Sequence, residues 1–167
     1  MKLDNRGLSL VELVIVITIL VVVGGLMTMG ISAAFSKPAD ECAKKIETAL
    51  NNARVTTMGK QSIVLELYQK DDYVYLKETI TDADGSSSQK DLRIGAKYVT
   101  VEYKLSGDTV YNPLGDASNP LTLSFKRTTG GFNSLPGGGY CDEIKISKGS
   151  KVRLVKLAYL TGKVTVE

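Results

Sequence analysis

Gly7-Leu8-Ser9-Leu10-Val11-Glu12 leads into Leu13-Val14-Ile15-Val16-Ile17-Thr18-Ile19-Leu20-Val21-Val22-Val23-Gly24-Gly25-Leu26. From Leu13 to Ser36 no residue carries a charge, a run of 24 positions. As a helix that run extends roughly 36 Å, enough for a hydrocarbon core of about 30 Å. A polar leader, Met1 to Gly7, precedes it, with Lys2 and Arg6. Basic residues on that side predict a cytoplasmic N-terminus. A secretory signal peptide would have a shorter apolar region of about 7–15 residues, although Ser32-Ala33-Ala34 could serve a signal peptidase. A plain membrane anchor fits the run but leaves Glu12 unexplained. A carboxylate in hydrocarbon costs on the order of 2–3 kcal/mol, which marks Glu12 as a functional candidate. The simpler account places it at the interface as a helix cap.

Working outward, Lys37-Pro38 ends the apolar run, and the pattern becomes amphipathic. Ala39, Cys42, Ala43, Ile46, Leu50 and Ala53 recur at three- and four-residue spacings. Lys44, Lys45, Glu47, Asn51 and Arg54 take the other faces. Pro38 either starts a new helical segment or kinks a continuous one. Gly59 marks the helix end. Gly24, Gly25 and Gly30 interrupt the apolar half; they either allow close helix packing there or, at about 1 kcal/mol each against alanine, let the helix lose regular structure at Gly24-Gly25.

Beyond the helix the period falls to two. Ile63–Tyr68 and Tyr73–Lys77 flank Gln69-Lys70-Asp71-Asp72, a hairpin signal. Tyr98–Tyr103 and Leu121–Phe125 alternate, and Ile144–Ile146, Val152–Leu154 and Val164–Val166 continue the pattern. Leu160-Thr161-Gly162-Lys163 reads as the last turn. Seven short strands after one helix predict an α+β fold: a long N-terminal helix, apolar in its membrane half and amphipathic in its lower half, packed on an antiparallel β-sheet head. The expected divisions are a leader at 1–7, an apolar helix at 8–36, its amphipathic continuation at 37–59 and a β head at 60–167.

Gly7-Leu8-Ser9-Leu10-Val11-Glu12 resembles the prepilin processing motif of type IV pilins and type II secretion pseudopilins. That pattern is a short charged leader, a glycine, a hydrophobic first mature residue and a glutamate, followed by an apolar helix. The first mature residue is usually phenylalanine, and here it is Leu8. The resemblance implies that a prepilin peptidase cuts between Gly7 and Leu8 and methylates the new amino group of Leu8. It also implies that Glu12 pairs with the amino terminus of a neighbouring subunit during assembly. The expected partners are the peptidase, other pilin or pseudopilin subunits, the pilus assembly platform and membrane lipid. The expected location is the bacterial inner membrane, with the head outside the cytoplasm, and then a pilus or pseudopilus. Glu47–Arg54, Ser62–Leu65 and Leu160–Val164 loosely resemble the heads of H-type minor pseudopilins.

Composition excludes much chemistry. The 167 residues include no histidine, the commonest general base and metal ligand. No phosphate loop, catalytic carboxylate pair or metal-ligand spacing stands out, so the expectation is a structural protein with no cofactor and no metal. Asp82-Ala83-Asp84-Gly85 followed by serines has some calcium-loop character but lacks the terminal bidentate glutamate; Asp-Gly is also a turn signal. Gly130-Gly131 and Gly137-Gly138-Gly139 read as flexible surface loops. Cys42 could pair with Cys141 in an exported head, or could be a small buried residue. The usual family disulfide joins two positions near the C-terminus, a different arrangement. An apparent slip in strand 150–160 suggests a bulge that would put Lys151, Arg153 and Lys156 on one outer face. A solvated outer face is the simpler account of these basic residues; the face would also suit DNA, and a DNA-catching minor pilin is the rival reading beside a plain membrane-anchored receptor.

Overall fold

The computed structural model describes the backbone of residues 10–59 and 61–167, and the side chains of residues 11–21, 37–59 and 61–167. The backbone forms one helix, α1 (Leu10–Met58), and nine strands among the described residues. The strands are β1 (Ser62–Lys70), β2 (Tyr73–Thr81), β3 (Ser87–Arg93), β4 (Thr100–Leu105), β5 (Asn112–Pro113), β6 (Leu121–Ser124), β7 (Cys141–Lys148), β8 (Lys151–Ala158) and β9 (Lys163–Val166). The fold is α+β with an antiparallel head. The chain divides into two compact units, Met1–Phe35 and Ser36–Glu167.

The strands form two sheets rather than one. The first has the order β3-β2-β1-β6 and the second β5-β4-β7-β8-β9. The β1–β2 hairpin closes on a two-residue loop, Asp71-Asp72, with φ of 51° and 64°. Positive φ at both loop residues is the type I′ turn whose twist matches paired strands, and aspartate tolerates it better than most side chains. Tyr68 and Tyr75 face each other across this hairpin with rings stacked at 5.5 Å.

Three expectations need correction here. Ser87–Arg93 is a strand, although nothing in its polar sequence alternates: six of its seven residues are exposed. Tyr98 does not belong to β4, because its φ of 63° is incompatible with an extended strand. The flexible-loop reading fails for Gly130-Gly131, which are buried. A Cβ on Gly131 would lie 2.5 Å from the Leu160 carbonyl oxygen, and one on Gly162 would lie 1.8 Å from that of Gly130. These glycines let the turn after β6 press against the β8–β9 turn, backbone to backbone.

One core fills the Ser36–Glu167 unit. On α1, Ala39, Cys42, Ala43, Ile46, Leu50 and Ala53 are completely buried, the stripe set by their spacing. They meet Leu65, Leu67 and Val74 of the first sheet and Val101, Ile144, Ile146 and Val155 of the second. Each such aliphatic side chain contributes about 1.5–3 kcal/mol by leaving water. Pro38 lies inside α1, and the helix runs on through it. Gly59 ends it, its amide reaching the carbonyls of Val55 and Thr56 at 3.2 and 3.0 Å.

Candidate functional site

The helix start holds the strongest candidate. Gly7 and Leu8 lie outside the described residues. Glu12 stands in the first turn of α1 and is exposed. From Val11 to Val21 every side chain is exposed, including Val14 at 54%, Ile17 at 52% and Leu20 at 65%. The nine residues from Leu13 to Val21 cover all faces of a helix, so beyond Glu12 this segment is apolar all round rather than amphipathic. Its one hydroxyl, on Thr18, donates to the Val14 carbonyl at 2.7 Å. That bond leaves the segment without an unmet side-chain donor, as an apolar environment requires. Among the described residues no helix is long and apolar enough to cross a membrane; the expected span also draws on residues 22–36, whose side chains lie outside the description.

The basic face expected on β8 does not exist. β7 and β8 pair without a register shift from Glu143↔Lys156 to Lys148↔Lys151. The irregularity lies instead between β4 and β7, where Lys104 opposes Glu143 and Leu105 opposes Cys141, so Asp142 is the extra residue. In the regular ladder Lys151 and Arg153 share a face with buried Val155 and Leu157, and Lys156 points the other way. Arg153 is an internal clamp: its Nε donates to Asp40 on α1. Lys156 is held at 2.6 Å by Glu167. The apparent slip arises because β8 carries apolar residues on both faces, with Val152 and Leu154 outward.

The cysteines are not bonded to each other. Cys42 and Cys141 are free and buried. Burial raises each thiol from 9.0 to about 12. Cys141 Sγ lies 3.6 Å from the Glu143 carbonyl oxygen, a weak hydrogen bond. Of the readings weighed for Cys42, the structure has the small buried residue.

Asp82–Ser86 forms the turn between β2 and β3. Asp84 accepts from the Ser86 amide and hydroxyl at 2.8 and 2.7 Å, which lowers its pKa. Gln61 donates to Asp82. These carboxylates act as turn caps. Among the described residues no group of three His, Cys, Asp or Glu side chains is placed to hold a metal ion.

Sequence reading missed the Asp40–Arg153 clamp and a part-buried pair, in which the Tyr111 hydroxyl donates to Glu143 while Lys104 Nζ lies 3.9 Å from the same carboxylate. For Arg153 a signal was present: uninterrupted alternation through Val155 and Leu157 already places it inward. For Tyr111 and Glu143, 32 positions apart, there was none.

Residues 2–28 match the family described as the prokaryotic N-terminal methylation motif. The chain therefore carries the type IV pilin and pseudopilin signature, over the segment in which Glu12 opens an all-round apolar helix. No curated protein and no solved structure shows a significant match.

Proposed function

We propose that this chain is a structural subunit, a minor pilin or pseudopilin, of a type IV pilus-like or type II secretion filament, without enzymatic activity. It is made as a single-pass precursor in the inner membrane, with the leader cytoplasmic and the β head outside. A prepilin peptidase cuts between Gly7 and Leu8 and methylates Leu8, and assembly then draws the helix from lipid into a filament core. The observation that carries this reading is the methylation motif at residues 2–28, which covers the start of the helix whose side chains Val11–Val21 are exposed on every face. Such a helix needs an apolar surrounding, and lipid and a bundle of like helices both supply one. Intact mass of the membrane-extracted protein tests the proposal. The expected mature chain begins at Leu8 with one added methyl group, and Gly7→Val leaves an uncut precursor. A mature start at Phe35 would reject it in favour of signal peptidase.

A further inference from the structure

Three of the four sheet edges are blunted by composition. β3 carries Lys90, Asp91 and Arg93, β5 is two residues long and includes Pro113, and β9 begins with Lys163 and is followed by Glu167. Charges, proline and shortness are the usual guards against edge pairing. β6 differs. Leu121 and Leu123 pair with Leu67 and Leu65 of β1. The two-residue β1–β2 loop makes Lys70↔Tyr73 a hydrogen-bonded pair, so the even-numbered residues of β1 bond to β2 and the odd-numbered ones face β6. Gln69 agrees, since its amide reaches Gly115 on that side. The N–H and C=O of Thr122 and Ser124 therefore point away from β1. The Ser124 carbonyl is taken by the Asn133 amide at 2.9 Å. Among the described residues nothing covers Thr122 in this way: beyond Asn133 the chain turns off through Leu135 and closes its own loop, Gly138 N–H to Leu135 C=O at 2.9 Å and Leu135 N–H to Gly139 C=O at 3.0 Å.

Where that chain leaves the edge there is a groove of about 370 Å3, lined by Tyr103, Leu105, Leu121, Thr122, Leu135 and Pro136 among others. None of its ten lining residues is charged, in a chain with 39 charged side chains. We infer that this groove takes an extended, uncharged segment of a partner polypeptide, which adds a short strand to β6 by bonding main chain to the N–H and C=O of Thr122. The outward N–H and C=O of one residue are the pattern that a neighbouring strand satisfies. The uncharged walls disfavour a charged occupant, whose desolvation would go unrepaid. Pro120, next outward along the edge, offers only a carbonyl, so the added strand is short. This inference is independent of the pilin reading.

Hydrogen exchange at the Thr122 amide tests it, measured by NMR on the full chain in detergent micelles. The probe is acetyl-Ser-Val-Thr-Val-Ser-amide at millimolar concentration. We expect the peptide to slow Thr122 exchange about tenfold or more, because the bonded amide must open before it exchanges. A probe N-methylated at its central threonine should have no effect, and a Lys/Glu analogue should bind more weakly. Thr122→Pro removes the outward N–H without touching the β1–β6 ladder, so it should abolish binding at an unchanged thermal midpoint. Gly137→Phe, placed where a Cβ meets open space, should block the groove and serves if the proline variant folds poorly. Unchanged exchange with the probe, or equal binding by the N-methylated probe, would overturn the inference. Protection that grows with protein concentration alone would also overturn it, in favour of a second copy at this edge.

Discussion

Arg153 on β8 donates its Nε to Asp40 on α1, 113 positions earlier, and so ties the second sheet to the helix. Both side chains are about one-third exposed. An ion pair at that depth contributes at most about 1 kcal/mol. Replacing Lys151, Arg153 and Lys156 with glutamine should therefore lower the thermal midpoint by a few degrees, and Arg153→Gln alone should account for most of the loss. Asp40→Asn should cost a similar amount, and the double variant Asp40→Asn/Arg153→Gln little more than either. Calorimetry of the four variants against the parent checks this; an unchanged midpoint in Arg153→Gln would show that the clamp contributes nothing.

The buried thiols predict an alkaline limit to stability. Burial lifts both from 9.0 to about 12, so between those values the native state holds protons that the unfolded state has released. The unfolded state then binds fewer protons, and the stability of the fold falls as pH rises. The contribution is complete below about pH 9 and is lost toward pH 12. Cys42→Ala/Cys141→Ala should flatten the stability curve above pH 9 relative to the parent, whatever its cavity cost at pH 7. Urea titrations at pH 7, 9 and 10 measure it. Free-thiol counting should find two thiols per unfolded, unreduced chain.

The contact between Gly130-Gly131 and the β8–β9 turn should be intolerant of even one methyl group. A Cβ at Gly162 would meet the Gly130 carbonyl at 1.8 Å, and its φ of 66° strains any other residue. Gly162→Ala should destabilise by roughly 1–3 kcal/mol. Gly85→Ala, with φ of 88° but open space around it, isolates the backbone share and should cost less. Equal losses in chemical denaturation would show that the close approach adds nothing.

Glu12→Ala addresses assembly. Glu12 opens an apolar helix, where the helix dipole favours a carboxylate by only about 0.3–1 kcal/mol. Burial in hydrocarbon or in a filament core costs more than that, so a partner charge must offset it. On the proposed function, that charge is the methylated amino terminus of a neighbouring subunit. The variant should be inserted and processed normally, yet recover far less partner subunit in membrane pull-downs. Equal recovery would leave Glu12 as an interfacial helix cap.

Legibility in the sequence followed how local the cause was. The helix stripe from Ala39 to Ala53 and the hairpin around Asp71-Asp72 were readable, because spacing and turn chemistry act within a few residues. β3 was not: Ser87–Arg93 is a strand because β2 offers it a ladder, and its side chains record no buried face. The two-sheet arrangement was hidden for the same reason, since β1 pairs with β6 and β4 with β7 across long separations. β8 misled by carrying apolar residues on both faces, which imitates a bulge. At the candidate site the motif and Glu12 were visible as text, whereas the Asp40–Arg153 contact joins distant segments.

The sheet order also dictates when the head can fold. β4 hydrogen-bonds on one side only to β5, two residues long, and on the other to β7, which begins 36 residues after β4 ends. The core-facing residues of β7, β8 and β9 share one core with the stripe of α1, which is synthesised before any strand. Until the last 27 residues arrive, from Cys141 onward, that stripe has half its cover. The β1–β2 hairpin can form early because its contacts are local, but the remainder waits on pairings of high contact order, which form slowly. A growing chain therefore carries this helix stripe only partly covered until β7, β8 and β9 have been made.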